Sequence, residues 1–282
     1  YTPAEVGYFV GNAGAKLVLA DAAFAPGLEP VAAGTGARLM TLNADGAGSF
    51  AELAQRLPGP FPAEPRAPSD LAALLYTSGT TGRSKGAMLT HRNLSSNALT
   101  LKDYWRFTDK DVLLHALPIY HTHGLFVASN TLLLAGGAMI FLPKFDADEV
   151  MRFLPKATSM MGVPTFYVRL CKHPGLTKAA TAHMRLFVSG SAPLLAETHD
   201  EFRAKTGHAI LERYGMTETS MNTSNPYDGD RIAGTVGFPL PGVELRIADP
   251  ESGAVLKQGE IGVIEVRGPN VFPGYWRMPE KT

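Results

Sequence analysis

The sequence predicts an α/β fold, with parallel sheets covered by helices and a C-terminal antiparallel β portion. Three observations carry this. Short apolar runs alternate with helix-length segments through most of the chain. Apolar strands separated in this way need both sheet faces covered. From about Thr235 two strand-like runs, "VELRIAD" and "GVIEVRG", are joined by turn-rich "PESGAVLKQGE" with no helix between them, the pattern of an antiparallel pair.

Thr2 followed three residues later by Glu5 fits a capping box, with Pro3 at the first helical position. Val6, Phe9 and Val10 form an apolar stripe that Gly14 can end. "KLVLA" reads as a strand and "ARLMTL" as the next, with Ser49 capping a helix over "FAELAQRL". The five prolines of 58–68, "PGPFPAEPRAP", exclude regular structure and mark a linker or exposed crossing. "LAALLY" is a buried strand, and Thr90 or Asn93 starts a helix through "NLSSNALTLKDYW". Strand–helix pairs follow: "VLLHALP" with "LFVASNTLLLA", "AMIFLP" with "DADEVMRFL", "SMMGVP" with "TFYVRLC", and "MRLFVSG" with "LLAETHDEFRAKTG", before a strand "AILERYG". The change of character divides the chain into an α/β portion, 1–234, and a β-rich, barrel-like portion, 235–282.

Composition excludes several classes. Lys+Arg and Asp+Glu each number 26 in 282 residues, so no global charge draws the chain to nucleic acid or membrane. No apolar run approaches the ~20 residues of a membrane span. The nearest, 124–143, is broken by Ser129, Asn130, Gly136 and Gly137. The opening residues do not read as a signal peptide. Cys171 is the one cysteine, which excludes an internal disulfide and suits a reducing, cytoplasmic setting. In "YVRLCKHPG" it reads as a small core residue, not a nucleophile.

After "LAALLY" comes a loop, "TSGTTGRSKG", rich in glycine and hydroxyls with Lys85 near its end. Glycines let backbone N–H groups approach phosphate oxygens, and lysine supplies a point charge. The spacing is not that of a Walker A loop: Gly79 and Gly82 are too close, and Lys85 does not follow the second glycine directly.

That loop closely resembles the phosphate-loop signature of the adenylate-forming superfamily, which holds acyl-CoA synthetases, luciferases and peptide-synthetase adenylation domains. "LPIYHTHGL", "VSGSAPL", "RYGMTET" and "GEIGVIEVRGPNVFPGYW" resemble the family's later motifs, in the family's order. The resemblance implies that Thr77, Ser78, Gly79, Thr80, Thr81, Gly82 and Lys85 wrap the ATP phosphates. It places Tyr214 on adenine, with Ser191, Ala192 and Pro193 opposite and Gly215 and Met216 beside them. Thr217 approaches the phosphates, and Glu218 holds Mg²⁺ with help from Thr77. His121 gates the acyl site. His123, Ser189, Gly190 and Met216 line the acid pocket, although His123 also suits a helix cap. The implied co-substrates are ATP, CoA and a carboxylic acid.

Arg169 interrupts an otherwise apolar helix. If it faces the acid pocket, its natural partner is a second carboxylate. "LPIYHTHGLFVASNTLL" with "GVPTFYVRL" most resembles the malonyl-CoA synthetases, which implies malonate, then methylmalonate. Another acyl-CoA synthetase, a peptide-synthetase adenylation domain or a silent nucleotide-binding fragment are the alternatives. The resemblance also implies a C-terminal lysine-bearing domain beyond Thr282, so that this chain alone would bind ATP weakly and turn over poorly.

Overall fold

Thr2 opens the first helix, α1 (Pro3–Ala13), as the sequence predicts. Its hydroxyl accepts from the Glu5 N–H at 3.3 Å, and the Glu5 carboxylate accepts from the Thr2 N–H at 2.6 Å. Gly14 closes the helix at φ 66°, where glycine carries no Cβ penalty. The computed structural model describes residues 1–77 and 83–282. They form two compact units, one of residues 1–67, 76–86 and 275–282 and one of 68–75 and 87–274.

In the first unit, β1 (Leu17–Ala20), α2 (Ala25–Thr35), β2 (Arg38–Thr41) and α3 (Ser49–Arg56) follow α1. β1 and β2 pair in parallel, with Leu17 opposite Arg38. The crossover helix α2 is missed by the sequence reading, because Pro26 and Pro30 look like breakers. Pro26 sits in the first turn, where no N–H is needed, and Gly36 ends the helix at φ 71°. Ser49 does not cap α3. It is the first helical residue, and it exchanges hydrogen bonds of 3.0 and 3.1 Å with Thr41. Residues 58–67 are exposed and irregular, as expected.

β3 (Leu71–Thr77) and β4 (Lys85–Thr90) form a two-stranded sheet. β4 is not foreseen, and β3 is half-exposed rather than buried. A strand in a two-stranded sheet has fewer layers to bury it.

In the second unit, Thr90 caps α4 (His91–Tyr104), and Asn93 Oδ1 accepts from the Thr90 N–H at 2.9 Å. Both candidate starts of this helix belong to one capping box. Then come β5 (Val112–His115), α5 (Ser129–Ala135), β6 (Ala138–Phe141), α6 (Ala147–Phe153), β7 (Ser159–Gly162), α7 (Pro164–Cys171), α8 (Lys178–Thr181), β8 (Leu186–Ser189), α9 (Ala196–Thr206), β9 (Leu211–Met216), β10 (Ser220–Ser224) and β11 (Phe238–Pro239). Seven strands form one sheet in the order β11-β10-β9-β8-β7-β5-β6. Five run parallel, and β10 and β11 are antiparallel additions. β12 (Glu244–Ala248) and β13 (Val263–Arg267) pair antiparallel, as the turn-rich connection predicts.

The parallel strands send successive side chains to opposite faces. Leu113, Met161, Leu186, Val188 and Leu211 enter a core with Leu101, Trp105 and Leu132 of the α4 and α5 side. Leu114, Met160, Phe187 and Ile210 enter a second core with Val150, Tyr167, Leu170 and Phe202 of the α6, α7 and α9 side. Cys171 is buried in this second core, and burial pushes its thiol up to about 11, so it packs and does not attack.

At the amino ends of these strands lies a buried ion pair. The Asp111 carboxylate accepts from Arg185 Nε at 2.6 Å and Nη2 at 2.8 Å, from the Thr108 N–H at 2.8 Å and from Thr158 Oγ1 at 2.7 Å. This ties the starts of β5, β7 and β8 together and leaves the carboxyl ends, where ligands of parallel sheets sit, to the site. Among the described residues no helix is long and apolar enough to cross a membrane.

Candidate active site

β5 ends at His115, and the chain returns through 116–122 into a wide helical turn, His123–Ala128, that leads into α5. His115 Nε2 lies 2.9 Å from the Gly124 carbonyl and holds this turn against the strand. Gly124 is required there: a Cβ would meet the Pro118 carbonyl and sit 3.2 Å from Leu117 Cβ. The turn carries His123 into the wall of a cavity of about 510 Å³. His121, Thr122, Phe166, Ser191, Arg213, Gly215, Met216 and Thr217 line the same cavity. The 3.6-residue period places the helix start at Leu125 and misses the wide turn before it.

A second cavity, about 350 Å³, is lined by Ser189, Gly190, Ser191, Ala192, Pro193, Glu212, Tyr214 and Gly215. Arg213 belongs to the walls of both. Ser191 adopts φ 71°, and its hydroxyl lies 3.2 Å from His123 Nδ1.

The electrostatics centre on three buried bases. His123 is held well below 6.5, first by burial and then by Arg213 and His115. Its Nε2 has no hydrogen-bond partner among the described residues. His115 is also lowered by burial, against the pull of the Gly124 carbonyl. Arg213 is 3% exposed, and burial brings its guanidinium down to about 10, opposed by Tyr167. Its Nε and Nη2 have no partner among the described residues.

Most of the residues singled out from the sequence therefore gather in two groups, Ser189 to Pro193 with Tyr214 and Gly215, and His121 with His123, Met216 and Thr217. Glu218 is half-buried, and its backbone carbonyl accepts from the Phe272 N–H at 2.8 Å. Arg169 lines neither cavity. It is exposed on α7, with its guanidinium 4.7 Å over the Phe145 ring, which in turn stacks 4.0 Å from Phe166. In the first unit, Lys85 Nζ lies 4.4 Å from the Tyr275 ring centre, and Thr77 Oγ1 donates to the Lys85 carbonyl at 3.5 Å. Tyr8 Oη donates to the Ser84 carbonyl at 2.9 Å. Ser78, Gly79, Thr80, Thr81 and Gly82 lie outside the described residues. The sequence reading missed His115 and Arg213. The alternation of "LERYG" puts Arg213 on the pleat of Leu211, a signal only once the buried face of that strand is known.

A doubly covered sheet with two adjoining cavities at its strand ends, one lined by hydroxyls and an aromatic ring, the other by histidines and a buried cation, defines a small-molecule-binding α/β protein. The chain belongs to the AMP-binding enzyme family, whose pattern matches residues 1–276. It is 37% identical to a mitochondrial malonate–CoA ligase of Mus musculus, covering 99% of this chain and 53% of that protein. The ATP-bound MatB structure from Rhodopseudomonas palustris matches with a TM-score of 0.97 and 63% identity, over 100% of this chain and 56% of that one. A malonyl-CoA ligase complex with methylmalonyl-CoA and AMP matches with a TM-score of 0.85 and 38% identity, over 99% of this chain and 58% of that one. The chain thus spans about half the length of the relatives it matches.

Proposed function

We propose that this chain is part of an acid–thiol ligase that uses ATP to activate a short dicarboxylate, malonate first and methylmalonate next. The observation that carries the reading is 63% identity over the whole chain to the ATP-bound MatB structure. A carboxylate oxygen attacks the α-phosphorus of ATP, the bond to pyrophosphate breaks, and an acyl-adenylate forms. The CoA sulfur then attacks the acyl carbon, losing its proton, and AMP leaves.

The residues take the following parts. Tyr214 stacks on adenine across from Ser191, Ala192 and Pro193. Thr217 and Lys85 each take a phosphate-binding part, as do Ser78, Gly79, Thr80, Thr81 and Gly82, which lie outside the described residues. Transition-state stabilisation here is mostly oriented charge. Glu218 and Thr77 offer the hard oxygen donors that Mg²⁺ takes. No cluster of three His, Cys, Asp or Glu forms among the described residues, so phosphate oxygens and water would complete the shell. Bound there, the ion would neutralise phosphate charge. His121, exposed at the first cavity, gates the acid, and the neutral His123 borders it. Arg169, two stacked rings away from that cavity, draws the dianion towards its mouth. A cytoplasmic or organellar setting is compatible with each of these steps.

ATP–pyrophosphate exchange with the full-length protein containing this chain tests the reading. Malonate should support exchange better than propionate or a medium-chain fatty acid. Exchange led by fatty acids would overturn it. Arg169→Ala should raise the malonate KM several-fold with little change in kcat.

A further inference from the structure

We propose that Asn270 and Asn222 are positioning residues for the tip of the β9–β10 hairpin, where they fix the backbone that carries Thr217 and Glu218. This rests on the reading above that gives Thr217 to phosphate and Glu218 to Mg²⁺.

The argument starts from the tightness of the turn. β9 ends at Met216 and β10 begins at Ser220, so Thr217, Glu218 and Thr219 alone make the connection. Ser220 is buried and takes φ 49°, the left-handed region that side chains disfavour. A Cβ on Gly215 would fall 2.0 Å from the Ser220 carbonyl oxygen, so the two strands close on each other without slack. Backbone held in this way persists only where its surroundings fix it.

The fixing groups are mostly buried side-chain amides. Asn270 Nδ2 donates to the Thr219 carbonyl at 2.7 Å and to Asn222 Oδ1 at 3.0 Å. Asn222 Nδ2 donates to Thr219 Oγ1 at 2.8 Å. The Phe272 N–H donates to the Glu218 carbonyl at 2.8 Å. Two consecutive carbonyls and one hydroxyl of the tip are therefore held from Asn222 and from the segment 270–272. Asn222 is the extra residue of a bulge in β10, since Met221 pairs with Gly215 and Thr223 with Tyr214. Bulges re-aim side chains in this way. The segment is itself pinned to α4: Asn93 Nδ2 donates to the Pro269 and Val271 carbonyls at 2.8 and 2.9 Å.

Two observations separate this from ordinary packing. Asn270 Oδ1 is buried and has no hydrogen-bond partner among the described residues. An apolar side chain of the same size would avoid that cost, so the worth of the amide lies in what its Nδ2 holds. Gly268 also yields its side-chain space to this amide. A Cβ there would fall 2.4 Å from Asn270 Oδ1, and no positive φ requires glycine at that position.

The experiment is calorimetric binding of ATP to the full-length protein containing this chain, once with Mg²⁺ and once with a chelator. The ratio of the two affinities measures what the metal adds. Asn270→Leu should cut that ratio about 10-fold, as loss of a group that orients a metal ligand does. It should leave the affinity in chelator little changed. Thr219→Val, which removes only the hydroxyl that Asn222 holds, should cut the ratio less, and Thr219→Ser should restore it. Thermal melts identify the variants that fold, and a role confined to stability would move the melt and leave the ratio. Glu218→Gln is the control. If it leaves the ratio unchanged, the Mg²⁺ reading fails first and the positioning role falls with it. If Glu218→Gln collapses the ratio while folded Asn270→Leu keeps it, the proposal alone is overturned. Where Asn270→Leu does not fold, a kept ratio in folded Thr219→Val overturns it instead.

Discussion

Removing the Asp111 carboxylate separates the part of the sheet that holds the fold from the part that holds the site. Asp111 is 3% exposed and accepts two hydrogen bonds from Arg185, whose side chain is 24% exposed. In Asp111→Ala, Arg185 keeps bonds to the Trp105 carbonyl at 3.0 Å and the Tyr227 hydroxyl at 3.3 Å but loses its charge partner. Breaking a buried pair from one side costs about 3–5 kcal/mol, and the partial exposure of Arg185 places this case at the lower end. At a few degrees per kcal/mol, the unfolding midpoint should fall by roughly 6–12 °C. Burial raises the Asp111 carboxyl, but Arg185, the Thr108 N–H and Thr158 outweigh it and hold it below 3.8. Its contribution is therefore complete above pH 3.8 and lost as pH falls through the lower folded-state value. The gap between wild type and variant should close in strong acid. Asp111 stands four residues from His115, roughly 13 Å along an extended strand. On the proposed function, the malonate KM of the full-length protein containing this chain, measured at a permissive temperature, should not move. A midpoint shift below about 2 °C, or an intact fold with a raised KM, would refute the reasoning.

Two further outcomes follow from the same structure. His115 and His123 both titrate below 6.5 because of burial, so the unfolded chain takes protons that the folded chain refuses. Stability should be complete above about pH 6.5 and decline as pH falls towards their folded-state values, by up to about 1.4 kcal/mol per pH unit for each. His123→Gln should flatten the midpoint-versus-pH curve in that window, and an unchanged curve would remove His123 from the account. Thr90→Ala, which deletes the cap shared with Asn93, should cost α4 about 1 kcal/mol, read by chemical denaturation, with no effect above a few tenths if solvent replaces the cap.

The parallel architecture was legible because burial on both faces writes near-continuous apolar runs rather than alternation, as in the first three residues of "VLLH" and "LFVS". Caps at Thr2 and Thr90 were legible because their bonds are local. What escaped depends on partners distant in sequence. Ser49 has the composition of a cap, but Thr41 claims its hydroxyl across the chain. β10 carries polar residues, "SMNTS", yet all five are buried, since Asn97, Trp105 and Asn270 supply hydrogen bonds to Met221, Ser224 and Asn222 from elsewhere. In the site, motif order located both cavities. The orientation of each arginine remained invisible, because one helical turn or one pleat decides between solvent and interior. Arg169 and Arg213 look alike in sequence, and only the tertiary structure exposes one and buries the other.

β9 also limits how such a protein can be altered. Glu212 and Tyr214 line only the second cavity, while Arg213 between them lines both. Adjacent letters of one strand thus face the two cavities unequally. An inserted or deleted residue would exchange the faces of Arg213 and Tyr214 and re-line both cavities at once. The lining of both cavities can be edited here by substitution but not by changing length, so variants built by grafting segments must move this strand whole.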